Sequence, residues 1–257
     1  MNPERSAKRR ASGSNHGPKG DDHASIGPGR TISRMDESRA LSPGALEQQR
    51  LIHARMRDFR QVDLFRELRT NVLRHATCRN AVVLVTGVSR RCGTSFLARN
   101  LAASIAFDEE RTALLMDCNL RHSTVAEDFF LPSDGPGLID LFGNNTDKDL
   151  GHVIYSSGVP RLRLVPAGRS ERQSVEYFAS VRMRGLIQEA RSRYDDRCLV
   201  IDAPPALGTP DARILSEYAD VVVLVAGEGR HQADTVRRAA AVFPPERLAG
   251  VIFNHLP

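Results

Sequence analysis

The sequence predicts an α/β fold in which helices cover both faces of a doubly wound, mostly parallel sheet. Two observations carry this prediction: apolar runs alternate with helical patterns from about residue 63 onwards, and one run leads directly into a glycine-containing loop and a helix. That run, Ala81–Val88, is continuous and rich in valine, which is typical of a strand buried on both faces. The length of 257 residues suits one large α/β domain or two small ones.

The predicted elements follow one another in β-then-α order. An amphipathic helix opens the domain, and its spacing places Leu64, Leu68 and Val72 on one face. Further strands are predicted over 81–88, 112–117, a stretch ending at residue 168, 198–202, 221–227 and 248–254. Further helices are predicted over 95–107, 138–142, 174–194, 211–218 and 233–243.

The N-terminal segment differs in composition from the rest and is rich in Ser, Gly and Pro. Residues 1–60 hold twelve Lys and Arg against seven Asp and Glu, whereas the remainder holds twenty-four of each. We therefore divide the chain into a disordered basic tail, residues 1–59, and a folded domain, residues 60–257. Such a tail is suited to contact with an anionic membrane surface or an acidic partner, and a solvated tail without a role is the alternative.

Several classes of protein are disfavoured by the composition. No basic module with interleaved aromatic residues accompanies the charge, so we do not expect nucleic-acid binding. The apolar runs are far shorter than the roughly 20 residues that cross a bilayer, and no apolar signal segment follows the N-terminus. These features predict a cytosolic protein without a transmembrane helix. The four scattered cysteines are expected to be reduced core thiols.

The stretch VTGVSRRCGTSFLARNLA, Val85–Ala102, predicts a strand, a phosphate-binding loop and a helix. Aligning Gly93 with the second glycine of GxxxxGK[ST] puts Thr94 at the lysine position and Ser95 at the metal-hydroxyl position. No lysine lies near the loop, because the chain contains only Lys8, Lys19 and Lys148. We expect the nucleotide-binding residues to be Arg90, Arg91, Cys92, Gly93, Thr94, Ser95 and Phe96.

Two aspartates are predicted at the carboxyl ends of buried strands, Asp117 in LLMDCNLR and Asp202 in LVIDAPP. Ligands of doubly wound sheets bind at that edge, so both carboxylates should converge on the Ser95 loop. A pair of carboxylates suits Mg²⁺, which completes its shell with water and phosphate oxygens. We therefore take Asp117 and Asp202 as candidate catalytic residues, active or vestigial, and as candidate magnesium ligands together with Ser95.

From about residue 60 to its end, the chain resembles the bacterial tyrosine kinases of the capsule and exopolysaccharide type. These are relatives of the deviant-Walker ATPases, which include septum-site and plasmid-partition proteins. Four stretches carry the resemblance: RELRTN preceded by Asp63, similar to the ExxRxxR oligomerisation helix; VTGVSRRCGTSFLARNLA, similar to Walker A; LLMDCNLR, similar to the Walker A′ core DxDxR; and LVIDAPP, similar to Walker B.

The resemblance implies a cytoplasmic, ATP- and magnesium-binding, tyrosine-kinase-like component of polysaccharide biosynthesis. Such a protein lies peripheral to the inner membrane, regulates a membrane polysaccharide co-polymerase (chain-length determinant) and forms homo-oligomers, here through Asp63, Arg66 and Arg69. Thr94, Ser89 and Asn119 depart from the pattern, and the family's C-terminal tyrosine cluster has no counterpart in this sequence. Our first hypothesis is therefore a degenerate nucleotide site. The alternatives are an active autokinase that uses Arg90 or Arg91 instead of lysine, and a partition-type positioning ATPase.

Overall fold

The computed structural model describes residues 40–56, 58–142, 148–171 and 174–255. The strands are β1 Val82–Gly87, β2 Thr112–Asp117, β3 Tyr155–Ser156, β4 Leu162–Val165, β5 Arg197–Asp202, β6 Val221–Gly227 and β7 Leu248–Asn254. The α-helices are α1 Pro43–Gln48, α2 Phe59–His75, α3 Thr94–Ala106, α4 Val125–Asp128, α5 Ser174–Phe178, α6 Val181–Ser192, α7 Asp211–Ser216 and α8 Ala233–Ala240. Two 3₁₀ turns, Leu138–Leu141 and Leu150–Val153, lie between α4 and β3.

The strands form one seven-stranded sheet in the order β3-β4-β2-β5-β1-β6-β7. Every pairing is parallel except that of the two-residue edge strand β3 with β4. Strands β1, β2, β5 and β6 are buried along their whole length, as continuous apolar runs require. The predicted doubly wound α/β fold is therefore confirmed, and the short antiparallel strand β3 was not predicted.

Helix α3 packs as its spacing predicts, because Leu97, Leu101 and Ile105 are all buried. Helix α2 differs from its prediction. Its buried side chains are Val62, Phe65 and Val72, whereas Leu64 is 66% exposed. The prediction for Leu64 was wrong, since the face that contacts the core is centred on Phe65.

The helix predicted over 174–194 is two helices, α5 and α6, divided at Ser180. The Ser180 hydroxyl accepts a hydrogen bond from the Met183 amide at 3.1 Å and donates one to the Tyr177 carbonyl at 2.6 Å. A serine that bonds to the backbone on both sides ends one helix and caps the next.

The segment 40–56, which we assigned to the tail, belongs to the folded part. Leu46, Leu51 and Ile52 are buried in the core. The buried Asn100 side chain of α3 accepts a hydrogen bond from the Ile52 amide at 2.8 Å and donates one to the Arg50 carbonyl at 3.1 Å. The predicted boundary at residue 60 is thus too late, because a few apolar residues are enough to anchor a polar segment. Residues 1–39 of the predicted tail lie outside the described residues.

None of the helices in the described ranges is both long enough and apolar enough to cross a bilayer. The four cysteines, which lie in the described ranges, are free thiols, and Cys92, Cys118 and Cys198 are buried.

Replacing Asn100 with alanine should destabilise the protein. The change leaves the Ile52 amide and the Arg50 carbonyl without their partner, and an unsatisfied buried group costs about 1–3 kcal/mol. Chemical denaturation of wild type and Asn100→Ala measures the difference. Gln188→Ala, at an exposed position of α6, is the control and should change the free energy of unfolding by less than about 0.5 kcal/mol. Equal stability of Asn100→Ala and wild type would show that Asn100 does not anchor segment 40–56.

Candidate functional site

A tight loop joins the end of β1 to the start of α3 at the carboxyl edge of the sheet. Gly93 precedes the helix with a left-handed φ of 82°, which glycine adopts without strain. A Cβ atom on Gly87 would lie 2.6 Å from the Thr94 hydroxyl oxygen, so only glycine permits the loop to fold back this closely. The first amide groups of the 13-residue helix α3 follow directly. Free amides at a helix N-terminus favour an anion.

A cavity of about 570 Å³ opens above this loop. Three segments of the chain surround it: the β1–α3 loop with the first turn of α3, the loop after β2, and the loop after β5. The residues that line it are Ser89, Arg90, Arg91, Gly93, Thr94, Ser95, Phe96, Asn119, Arg121, His122, Thr124, Ala203, Pro204, Pro205, Leu207, Gly208 and Thr209. The cavity therefore lies where the doubly wound fold places its ligands.

The charges around the cavity are of one sign. Arg90, Arg91 and Arg121 line it, and none of the described lining residues is acidic. The pKa of His122 is lowered by partial burial and by the positive charges of Arg90 and Arg121. An anionic ligand would relieve this accumulation of positive charge.

Asp202 lies at the end of β5, beside the first turn of α3. It is 1% exposed, and neither of its carboxylate oxygens has a hydrogen-bond partner of good geometry. Burial raises the pKa of Asp202 well above its usual range, and the neighbouring Asp117 raises it further. The nearby Ser95 hydroxyl lowers the pKa of Asp202, but by less than burial raises it. Ser95 and the positive charge of Arg99 only partly offset the burial of Asp202, so its charged form stays disfavoured.

Asp117 has a different environment at the end of β2, although it is paired in register with Asp202. Its Oδ1 accepts a hydrogen bond from the Asn119 amide at 2.9 Å, and its Oδ2 accepts one from the Ser123 hydroxyl at 2.7 Å. The Val125 amide is a weaker donor to Oδ2 at 3.4 Å. Burial raises the pKa of Asp117, while these three donors lower it. Asp117 therefore holds the loop after β2 in shape.

The residues present fit a magnesium ion in part. Asp202 offers two buried oxygens without partners next to the Ser95 hydroxyl, which suits a hard cation that takes its other ligands from water and phosphate. Asp117 fits less well, because both of its oxygens accept protein hydrogen bonds. No group of three or more His, Cys, Asp or Glu side chains within the described ranges is arranged to hold a metal.

The structure brings most of the predicted nucleotide-binding residues to the cavity wall, with one exception. Cys92 is buried beneath the loop, where its sulfur accepts a weak hydrogen bond from the Ser89 amide at 3.5 Å and its carbonyl accepts one from the Asn254 side chain at 3.1 Å. Cys92 therefore shapes the loop from below. The other six predicted residues line the cavity: Arg90, Arg91, Gly93, Thr94, Ser95 and Phe96.

The predicted oligomerisation residues lie on α2, apart from the cavity. Asp63 and Arg66 form an exposed ion pair at 3.0 Å. Arg69 instead donates a hydrogen bond to the Ser104 carbonyl of α3 at 2.8 Å. Arg69 thus helps to fix α2 to its own domain, while Arg66 remains accessible at the surface.

Sequence reasoning did not assign a site role to Asn119, Arg121 or His122, although all three line the cavity. Arg121 is the last residue of LLMDCNLR and matches the arginine of the DxDxR core. Another missed contact joins Ser89 to His231 of the loop after β6, with 2.8 Å between Oγ and Nε2. The signal for Arg121 was available, since it follows a strand end by four residues. The partner of Ser89 was not predictable, because 142 positions separate the two residues.

Several known proteins are similar to this chain in sequence. No family model matches the chain. It is 29% identical over 198 residues to the tyrosine-protein kinase wzc of Salmonella typhimurium, covering 76% of this chain and 27% of that protein. It is 27% identical over 207 residues to the tyrosine-protein kinase CpsD of Streptococcus agalactiae, covering 79% of this chain and 88% of that protein.

A solved kinase domain has the same fold as this chain. The kinase domain of VpsO superposes with a TM-score of 0.67 at 28% identity, covering 77% of this chain and 95% of that one. The chain is a relative of the bacterial tyrosine kinases. It spans only 23% to 32% of the length of the first curated relatives that it matches.

Replacing Asp202 with asparagine should stabilise the protein without ligand at neutral pH. Because the pKa of Asp202 is raised in the folded state, the fold binds its proton more tightly than the unfolded chain does, and wild-type stability falls as pH rises above the usual value of 3.8. Asparagine does not ionise, so the variant does not lose this stability as the pH rises. Each tenfold difference in proton affinity corresponds to about 1.4 kcal/mol.

Denaturant unfolding at pH 8 and at pH 4.5 measures the effect. The stability advantage of Asp202→Asn should be larger at pH 8, while Asp234→Asn, a 75% exposed control, should show no such difference. A variant that is less stable than wild type at pH 8 would contradict the uncompensated charge of Asp202.

Proposed function

We propose that the folded part of this chain is a nucleotide-binding, tyrosine-kinase-like regulator whose phosphoryl-transfer site is degenerate. The observation that carries the proposal is the composition of the cavity: a phosphate-binding type of loop, a helix N-terminus and three arginines, with threonine where the related pattern has lysine. The ligand of this site is ATP or ADP, and Asp202 and Ser95 are the residues that would hold its magnesium ion.

Binding of the phosphate chain needs fewer special groups than its transfer. Backbone amides at the start of α3 and the arginines of the cavity are sufficient to attract a polyphosphate in the ground state. Transfer depends on exact placement and on stabilisation of the charge that spreads in the transition state. The protein can therefore keep a nucleotide site after losing catalytic groups.

Two departures from the related pattern weaken transfer. Thr94 replaces a compact, mobile ammonium with a short hydroxyl that packs against Gly87, and Asn119 replaces a carboxylate in the loop after β2. Losing one key charge-stabilising group commonly reduces the rate on the order of 10² to 10³. Both losses together leave the site suited to sensing a nucleotide.

The relatives support a biological setting for this regulator. A nucleotide-dependent regulator of this kind acts on a membrane polysaccharide co-polymerase in capsule or exopolysaccharide biosynthesis, at the cytoplasmic side of the inner membrane. Homo-oligomers would form through the exposed part of α2, where Asp63 and Arg66 are accessible. The basic N-terminal tail would add attraction to anionic lipid.

One observation favours a second candidate, an active protein-tyrosine autokinase. Arg90 and Arg91 line the cavity at its loop, so a guanidinium could carry the charge that lysine supplies elsewhere. Arginine is a wide planar fork and lysine a compact point charge, so the exchange alters the geometry around the transferred group. We therefore rank this candidate second.

Titration calorimetry with ATP and magnesium tests nucleotide binding. Wild type should bind ATP with micromolar affinity, and Ser95→Ala should weaken binding because it removes the hydroxyl beside Asp202. Thr94→Lys should tighten binding about tenfold or more, since a charge-assisted hydrogen bond contributes about 1.5–3 kcal/mol.

The matched control for Thr94→Lys is Thr70→Lys, which adds the same charge at an exposed position of α2. It should bind ATP as wild type does. If wild type gives no heat with ATP or ADP while remaining folded, the proposal of a nucleotide site is wrong and the domain is a scaffold only.

A further inference from the structure

Arg121 belongs both to the cavity wall and to a buried polar group beneath it. Its guanidinium lies 3.4 Å from the Ser174 hydroxyl, measured from Nη2, and 3.9 Å from Asp211 Oδ2. About a third of its side chain, 35%, remains exposed towards the cavity side. Arg121 can therefore contact a ligand in the cavity while Ser174 and Asp211 hold its guanidinium on the other side.

The residues that hold Arg121 come from two different helices. Ser174 begins α5 and Asp211 begins α7, and both are fully buried. The Ser174 hydroxyl donates a hydrogen bond to Asp211 Oδ1, while Asp211 Oδ2 has no hydrogen bond of its own. A buried carboxylate needs a positive charge nearby, and Arg121 is the cation beside it.

This arrangement fixes the position of one arginine in the cavity. Arg90 and Arg91 lie in the exposed part of the loop, where long side chains keep many rotamers. Arg121 loses less freedom on binding a ligand, because its guanidinium is already anchored. Preorganised charge binds more tightly than the same charge on a mobile side chain.

We propose that Arg121, positioned by the buried Asp211–Ser174 pair, is the cation that binds the phosphate chain in place of the lysine missing at Thr94. The inference rests on the proposed nucleotide site and names the residue that supplies its charge. Arg121 contacts the ligand, whereas Asp211 and Ser174 are positioning residues. Arg90 lines the same cavity and adds to its positive charge.

Calorimetry with three probes tests the assignment: ATP, inorganic tripolyphosphate and adenosine. Arg121→Gln should weaken binding of ATP and of tripolyphosphate about 10- to 100-fold, as expected for loss of a charge-assisted contact. Affinity for adenosine should not change. Arg121→Lys keeps the charge but loses the fork, and should recover part of the affinity.

The positioning residues are tested through Asp211→Asn and Ser174→Ala. Each should weaken tripolyphosphate binding severalfold without a change in adenosine binding, a split that a merely structural defect would not produce. Arg238→Gln removes an arginine that is 66% exposed on α8 and serves as the control for net charge. Thermal unfolding of each variant shows whether it is folded at the temperature of the titration.

The outcomes separate this inference from the proposed function. If Arg121→Gln binds ATP and tripolyphosphate as tightly as wild type, Arg121 is not the phosphate-binding cation, although the nucleotide site stands. Equal losses for phosphate probes and adenosine would likewise overturn the assignment, because they indicate a distorted cavity. If wild type binds none of the probes, both the inference and the nucleotide site are wrong.

Discussion

Asp117 and Asp202 occupy paired positions on neighbouring strands, and almost none of their surface is exposed. Two carboxylates buried side by side repel each other, so each needs compensation from its surroundings. Asp117 obtains it from three donors of its own loop. Asp202 has no comparable donors, and the arginine-lined cavity lies above it. Asp117 therefore stabilises the loop after β2, whereas the oxygens of Asp202 remain without a hydrogen bond of good geometry.

The same register explains why the cavity forms where it does. Parallel pairing of β1 with β5, and of β5 with β2, brings three strand ends to one edge, and three loops leave the sheet from there. Gly87 and Gly93 allow the first of these loops to turn tightly into α3. The wall of the cavity at this edge combines the start of α3 with three arginines, and the Asp202 carboxylate is buried beside it. Those are the groups that a magnesium-bound polyphosphate needs.

Sequence patterns predicted the parts of the fold that depend on local periodicity. The strands around Leu84, Leu115 and Val200 and the buried face of α3 were found because apolar residues recur at the spacing of each element. Segment 40–56 was missed because its buried apolar residues, Leu46, Leu51 and Ile52, are few and follow a stretch that is rich in Ser, Gly and Pro.

The candidate site was predictable only in its outline. Its two aspartates and its glycine loop follow strand ends, a local signal, and both lie at the same edge of the sheet. The anchoring of Arg121 by Asp211 and Ser174 joins residues 37 and more positions apart, and no local pattern encodes such a contact. The distinction between Asp117, which shapes its loop, and Asp202, whose carboxylate oxygens accept no hydrogen bond of good geometry, likewise needs three-dimensional geometry.

The central claim is that this domain still binds nucleotide but no longer transfers a phosphoryl group. Incubation of the purified protein with labelled ATP and magnesium tests it most directly, when bound nucleotide, released ADP and phosphotyrosine are followed in the same sample. The account predicts that ATP is retained, with no time-dependent phosphotyrosine. Steady formation of phosphotyrosine that is abolished by Asp202→Asn would contradict it.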